Sequence, residues 1–162
     1  MSKPPTQPPE INTVVAAVLA ERAHLPGALL PVLHGVQDAL GYIPPETVPE
    51  IARALNLSRA EVHGVITYYH HFREKPAGRN VLQVCRAESC RATGAESLLA
   101  QARARLGCDG AQHLSADGGH SVEPVYCLGL CASSPAVVLN GQLHARMTPQ
   151  RLNALLDKTS SA

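Results

Sequence analysis

Asn80-Val81-Leu82-Gln83-Val84-Cys85-Arg86-Ala87-Glu88-Ser89-Cys90 is the most informative stretch of the chain. A short apolar, β-branched run from Asn80 to Val84 reads as a buried strand. It ends in a cysteine, and a second cysteine follows after four residues, a C-x4-C pair. The plan recurs downstream, where the run Ser121 to Tyr126 leads into Cys127-Leu128-Gly129-Leu130-Cys131, a C-x3-C pair. Each pair therefore falls in a loop at the end of a strand. Between the pairs, Thr93 is placed to cap a helix that carries Ala95, Leu98, Leu99, Ala102 and Leu106 and stops at Gly107.

The remainder of this half continues as a sheet. Gln112-His113-Leu114 reads as a weak strand. Ala136 to Leu139, then Asn140-Gly141, then Gln142 to Ala145 is a hairpin with the dipeptide that a type I′ turn favours. Thr148-Pro149 starts a last helix, with Leu152, Leu155 and Leu156 on its inner face. The order β-α-β-β-β-β-α predicts an α/β sandwich with one mixed sheet, and residues 158–162 are expected to fray.

Upstream of the Lys75-Pro76-Ala77-Gly78-Arg79 boundary the period changes from two to that of a helix. Ile11, Val14, Val15, Val18 and Leu19 form one stripe, closed by Leu25-Pro26-Gly27. Leu29, Val32, Leu33, Val36 and Leu40 form a second, stopped by Gly41. Val48, Ile51, Ala52 and Leu55 follow the Pro44-Pro45 turn, with Asn56 as the end. Ser58-Arg59-Ala60-Glu61 has the form of a capping box ahead of Val62, Val65, Ile66 and Tyr69. The expected architecture is α/β overall: a flexible proline-rich leader (1–9), a small helical bundle (10–74) and an α/β domain (79–158).

Composition narrows the function. Hydrophobic residues make up 45 % and charged residues 17 % of the chain, a globular balance, and with 3 % aromatics the core must be aliphatic. A formal charge of +1 offers no electrostatic case for nucleic acid or an anionic membrane. No apolar run has the length of a membrane span, and the N-terminus has no signal-like apolar region. Five cysteines, an odd number, with no such signal argue against a disulfide framework and for the cytoplasm.

Thiolates are soft ligands for iron–sulfur clusters, zinc or Cu(I). Structural zinc favours a C-x2-C bite, and no C-x-x-C occurs anywhere in the chain. The plant-type ferredoxin spacing is absent as well. Two wider pairs, with Gly94, Gly129 and the Ser133-Ser134-Pro135 turn suited to close backbone approach, favour a cluster and leave zinc open.

Val84-Cys85, Cys90, Gly94-Ala95, Cys127-Leu128-Gly129-x-Cys131 and Ser134-Pro135-Ala136-Val137 together resemble the thioredoxin-like [2Fe-2S] ferredoxin family, which includes the 24 kDa subunits of respiratory complex I. Upstream, Val36-Gln37, Gly41-Tyr42-Ile43-Pro44 and Val62-His63-Gly64-Val65 with Thr67-Tyr68-Tyr69 and Phe72 fit that family's N-terminal helical domain. The resemblance implies a thioredoxin-like second domain and one [2Fe-2S] cluster held by Cys85, Cys90, Cys127 and Cys131. It implies an electron-transfer subunit with no catalytic residues of its own. FMN and NAD would sit on a partner subunit. Arg86-Ala87-Glu88-Ser89 resembles the gamma subunit of NAD-dependent formate dehydrogenase, which adds a large partner bearing the molybdenum cofactor. The complex I subunit and NAD-reducing hydrogenases stand second, and a zinc-stabilised assembly module is the non-redox rival.

Other residues have plainer expectations. Cys108, outside both pairs, reads as a turn residue or buried thiol. His70-His71 reads as solvated or partner-facing, because no third ligand follows at zinc-like spacing. Tyr68, Tyr69 and Phe72 read as packing or anchoring. Arg86 and Arg91 either offset a cluster's negative charge or face solvent or a partner.

Overall fold

A computed structural model describes residues 10–108 and 113–159. The proline-rich residues 1–9, Gln112 and residues 160–162, each given an expectation above, lie outside them. The chain divides into two compact units between Pro76 and Ala77.

The first unit is helical: α1 (Ile11–Arg22), α2 (Leu29–Leu40), α3 (Val48–Ala54) and α4 (Arg59–Tyr68), with a 3-10 turn at Pro45–Thr47. The expected stripes converge, burying Val15, Val18, Val32, Leu33, Val36, Ile51, Val62 and Ile66 around Ile43. Gly35 lets α1 and α2 approach closely, since a Cβ there would stand 2.8 Å from a Val18 methyl carbon. Gly41 ends α2 in the left-handed region (φ 81°), returning its N–H to the Gln37 carbonyl. The capping box at α4 forms as read, with Glu61 N–H donating to Ser58 Oγ (3.2 Å) and Ser58 N–H donating to Glu61 Oε2 (2.7 Å).

Gln37 is a buried polar residue of this unit. Its Nε2 donates to the His71 carbonyl (2.8 Å) and its Oε1 accepts from the Arg73 N–H (2.7 Å), so the segment after α4 is tied to α2 through one amide. His70 and His71 lie in a turn beyond α4. The His71 ring stands 4.9 Å from His34 and 5.7 Å from Phe72, within an aromatic cluster.

The second unit is a four-stranded mixed sheet in the order β2-β1-β3-β4, with β1 (Asn80–Cys85), β2 (His120–Val125), β3 (Val137–Leu139) and β4 (Gln142–His144). β1 runs parallel to β2, Asn80 opposite His120 and Cys85 opposite Val125, and antiparallel to β3. Leu82 and Val84 alternate onto one face, as period two requires. They join Val122, Val137 and Leu139 against Leu98, Leu99 and Ala102 of α6 (Ala95–Leu106) and Leu152 and Leu156 of α7 (Pro149–Asp157). The mixed α/β class expected from the sequence is the class observed.

Several details differ. Of the strand expected at Gln112-His113-Leu114, the described residues His113 and Leu114 show one antiparallel bridge, Leu114 to Ser121. His113 sits at φ 53°, and a Ser115–Gly119 turn, braced by Asp117 accepting from Ser115 Oγ and Gly119 N–H, leaves no length for a strand. The C-x4-C loop contains a short helix, α5 (Glu88–Ala92). Thr93 closes α5 rather than capping α6, its hydroxyl donating to the Ser89 carbonyl (2.9 Å), and Gly94 at φ 99° opens α6. Asn140 (φ 50°) and Gly141 (φ 80°) make the expected hairpin turn. At the C-terminal end Thr159 does not fray, since its hydroxyl donates to the Leu156 carbonyl (2.8 Å) and meets His120 Nε2 at 3.1 Å. Among the described residues no helix is long and apolar enough to cross a membrane.

Candidate metal centre

Parallel pairing of β1 and β2 sends the loops that follow them out at the same end of the sheet. The ladder runs on past the strands, with Arg86 N–H donating to the Val125 carbonyl (2.7 Å) and Cys85 N–H to the Ala136 carbonyl (3.1 Å). The two cysteine pairs meet there. Cys85 closes β1 and Cys90 lies in α5; both are 2 % exposed and pack with Ala95 and Ala136. Cys127 and Cys131 are exposed, and their sulfurs stand 4.0 Å apart. All four are free thiols.

The sulfurs act on one another across both pairs. Burial pushes the Cys85 thiol up, but N–H donation from Ala87, the Cys90 thiol, and N–H donation from Cys127 and Leu128 outweigh it and bring the group below the ordinary thiol value. Cys90 is pushed up, by burial and by the Cys85 thiol, with the charge of Cys131 adding to it. Cys131 is raised by its bond to Cys127 and by that neighbour's charge, Cys85 contributing as well. Thiols crowded in this way disfavour one another's charged form.

Backbone geometry is adapted to sulfur. Gly129, at φ 74°, turns its N–H onto Cys127 Sγ at 3.4 Å. No atom lies within 4 Å of where its Cβ would be, so glycine answers to the backbone angle and not to close approach; the same holds at Gly94, against expectation. Cys127 itself adopts φ 89°, uncommon for a residue with a side chain and concentrated in nature at functional sites. N–H groups aimed at thiolate sulfur stabilise its negative form.

Polar contacts brace the two loops. Arg86 Nε and Nη2 grip the Glu96 carboxylate at 2.8 and 3.0 Å, a bidentate pair, and Arg91 Nε lies 3.7 Å from the same group. Arg86 also acts on Tyr126, the residue before Cys127. Its charge is thus shared with Glu96, so it holds the first loop to α6 rather than serving as a bare cation. Ser89 Oγ donates to the Cys131 carbonyl (3.0 Å) and meets Ser134 Oγ at 3.0 Å. Neither Glu96 nor Ser134 was singled out from the sequence as a partner of these loops; each makes its contact across ten or more residues.

Cys108 is elsewhere, fully buried in the sheet core, with its thiol 3.5 Å from the Leu106 and His120 carbonyls. Among the described residues no three or more His, Cys, Asp or Glu gather as ligands around a single ion. What the site offers is two thiol pairs with amide donors around them, a donor set that fits a sulfide-bridged two-iron centre.

A mixed α/β domain with two thiol pairs at the ends of parallel strands has the donor chemistry of the thiolate metal proteins. The chain is a member of the thioredoxin-like [2Fe-2S] ferredoxin family, which it matches over residues 15–160. The cofactor of that family is a [2Fe-2S] cluster. The chain is 38 % identical over 130 residues to NADH-quinone oxidoreductase subunit 2 of Thermus thermophilus, covering 80 % of this chain and 71 % of that one. It is 29 % identical to the NADP-reducing hydrogenase subunit HndA of Solidesulfovibrio fructosivorans, over 80 % of this chain and 75 % of the relative. Among solved structures, an air-oxidised NAD+-reducing [NiFe]-hydrogenase matches at TM-score 0.67 and 25 % identity. That match covers 82 % of this chain and 23 % of the hydrogenase chain, so this protein spans about a quarter of it.

Proposed function

We propose that this chain is the [2Fe-2S] electron-transfer subunit of an NAD-linked oxidoreductase complex, with Cys85, Cys90, Cys127 and Cys131 as the cluster ligands. The observation that carries this is the meeting of four free thiols in two loops at one end of a parallel strand pair. When bound, such a cluster supplies one-electron exchange. The chain's own residues hold and tune it: the amides of Ala87, Leu128, Gly129 and Ala136 face sulfur, and burial of Cys85 and Cys90 keeps one side dry. The exposed Cys127 and Cys131 give the opposite side an opening towards a redox partner. Substrate chemistry, FMN and NAD belong to partner subunits in this reading, and the complex works in the cytoplasm.

Within that class, the parent complex is a soluble NAD-dependent formate dehydrogenase, in which this chain is the gamma subunit beside a flavin subunit and a large molybdenum subunit. Arg86-Ala87-Glu88-Ser89 supports that choice. A second reading, a complex I or hydrogenase subunit, is supported by the names of the relatives above. Affinity purification of the full chain from its native cell, with metal and sulfide analysis, tests both levels. About two irons and two sulfides per chain are expected, and a colourless zinc protein would sink the proposal. Co-purifying molybdenum with formate-dependent NAD reduction identifies the first complex; quinone or hydrogen chemistry in the same eluate identifies the second.

A further inference from the structure

Ser89 joins the two cysteine loops directly. A hydroxyl has one proton to give. Ser89 commits it to the Cys131 carbonyl at 3.0 Å, so Ser134 is the donor in the 3.0 Å contact between the two hydroxyls. One end of this bridge is the neighbour of Cys90, and the other is the backbone of Cys131 itself. The partners lie 42 residues apart in sequence. Behind Ser89 the chain is stiff: α5 spans Glu88–Ala92, Thr93 bonds back to the Ser89 carbonyl, and Arg86 is forked onto Glu96. The first loop is therefore a braced arm, and its Ser89 hydroxyl holds the more exposed second loop at a set distance.

We propose that Ser89 is a positioning residue, whose hydroxyl bridge sets the spacing between the Cys85–Cys90 and Cys127–Cys131 pairs and with it the retention and spectroscopic symmetry of the bound cluster. The proposal rests on the cluster reading above. A ligand cage built from two loops is only as defined as the link between them. Sulfur separation decides both how readily a competing chelator opens the cage and how alike the two irons are.

The test uses the full chain, anaerobically reconstituted, as wild type, Ser89→Ala, Ser89→Thr and Ser134→Ala. Ser89→Ala is expected to take up the full iron and sulfide and to stay folded cluster-free, melting slightly below the wild type for its lost hydrogen bonds. It should lose iron to excess EDTA about tenfold faster, the scale of one to two net hydrogen bonds, with shifted g-values in the EPR spectrum of the reduced cluster. Ser89→Thr, which keeps the hydroxyl, restores both readouts, and Ser134→Ala falls between. Wild-type iron loss and g-values in Ser89→Ala would overturn the proposal, as would Ser89→Thr behaving like Ser89→Ala. A wild-type chain that takes up no iron would instead overturn the cluster reading, and the proposal with it.

Discussion

At the scale of single residues, burial separates the cysteines by role. Cys108 fills a place in the sheet core beside Leu82 and Val122, where its thiol is a small apolar group. Cys108→Ser is expected to keep the cluster's EPR signal with some loss of stability. A missing signal in a folded variant would put Cys108 among the ligands. Gln37 makes the sharper case in the helical unit, because one buried amide satisfies a carbonyl and an N–H at once. Gln37→Leu removes both bonds, and a loss of about 2–4 kcal/mol in denaturant unfolding is expected. No change would mean that water or another group takes over. The four cysteines were legible in the sequence because their spacing is local. Ser89's partners were not, since serine is common in loops and its bridge exists only once two distant strands are paired. Arg86 shows the same limit: a cation beside a cysteine looks available for charge compensation until Glu96, ten residues on, is seen to hold it.

At the scale of elements, local rules worked where an element is closed by its own residues. The α4 capping box, the Gly41 cap and the Asn140-Gly141 turn all formed as their sequences require. They missed α5, a five-residue helix with no side-chain N-cap bond, held by the surrounding loops. The capping box carries a pH signature. The Ser58 N–H, then the Ser58 hydroxyl, hold the Glu61 carboxyl below its ordinary value. A depressed acid adds stability that is present above its unfolded pKa and is lost as pH falls through the folded value. Glu61→Gln keeps the cap's shape without the charge, so the variant should be less sensitive to acid than the wild type in denaturant titrations between about pH 5 and 3. Equal acid sensitivity of the two proteins would refute that role for Glu61.

At the scale of the whole molecule, the helical unit has an aliphatic core, and the second unit has a sheet-based core with a smaller buried cluster around Cys85 and Cys90. Only the second unit bears the cysteines. A bound group stabilises the unit that holds it through mass action on the folded form. Stripping the cluster should therefore lower hydrogen-exchange protection in β1 and β2 by roughly tenfold or more, leaving α1 to α4 unchanged. Equal loss in both units would show that they unfold as one. The division falls between Pro76 and Ala77, close to where the hydrophobic period changes from helix to strand. The four-strand order was not, since period and turns say which segments are strands but not which lie side by side.

The parallel pairing of β1 with β2 has a consequence for how the protein is made. During synthesis Cys85 and Cys90 are made about 40 residues ahead of Cys127 and Cys131, and nothing yet holds them against the second pair. In that interval the two thiols are only half of the proposed ligand set, open to whatever thiophilic ion the cell leaves free. Loading with the proper centre has to wait until both strands and Ala136 are in place. The cell must then deliver iron and sulfide to a finished cage, or keep zinc and copper scarce around an unfinished one.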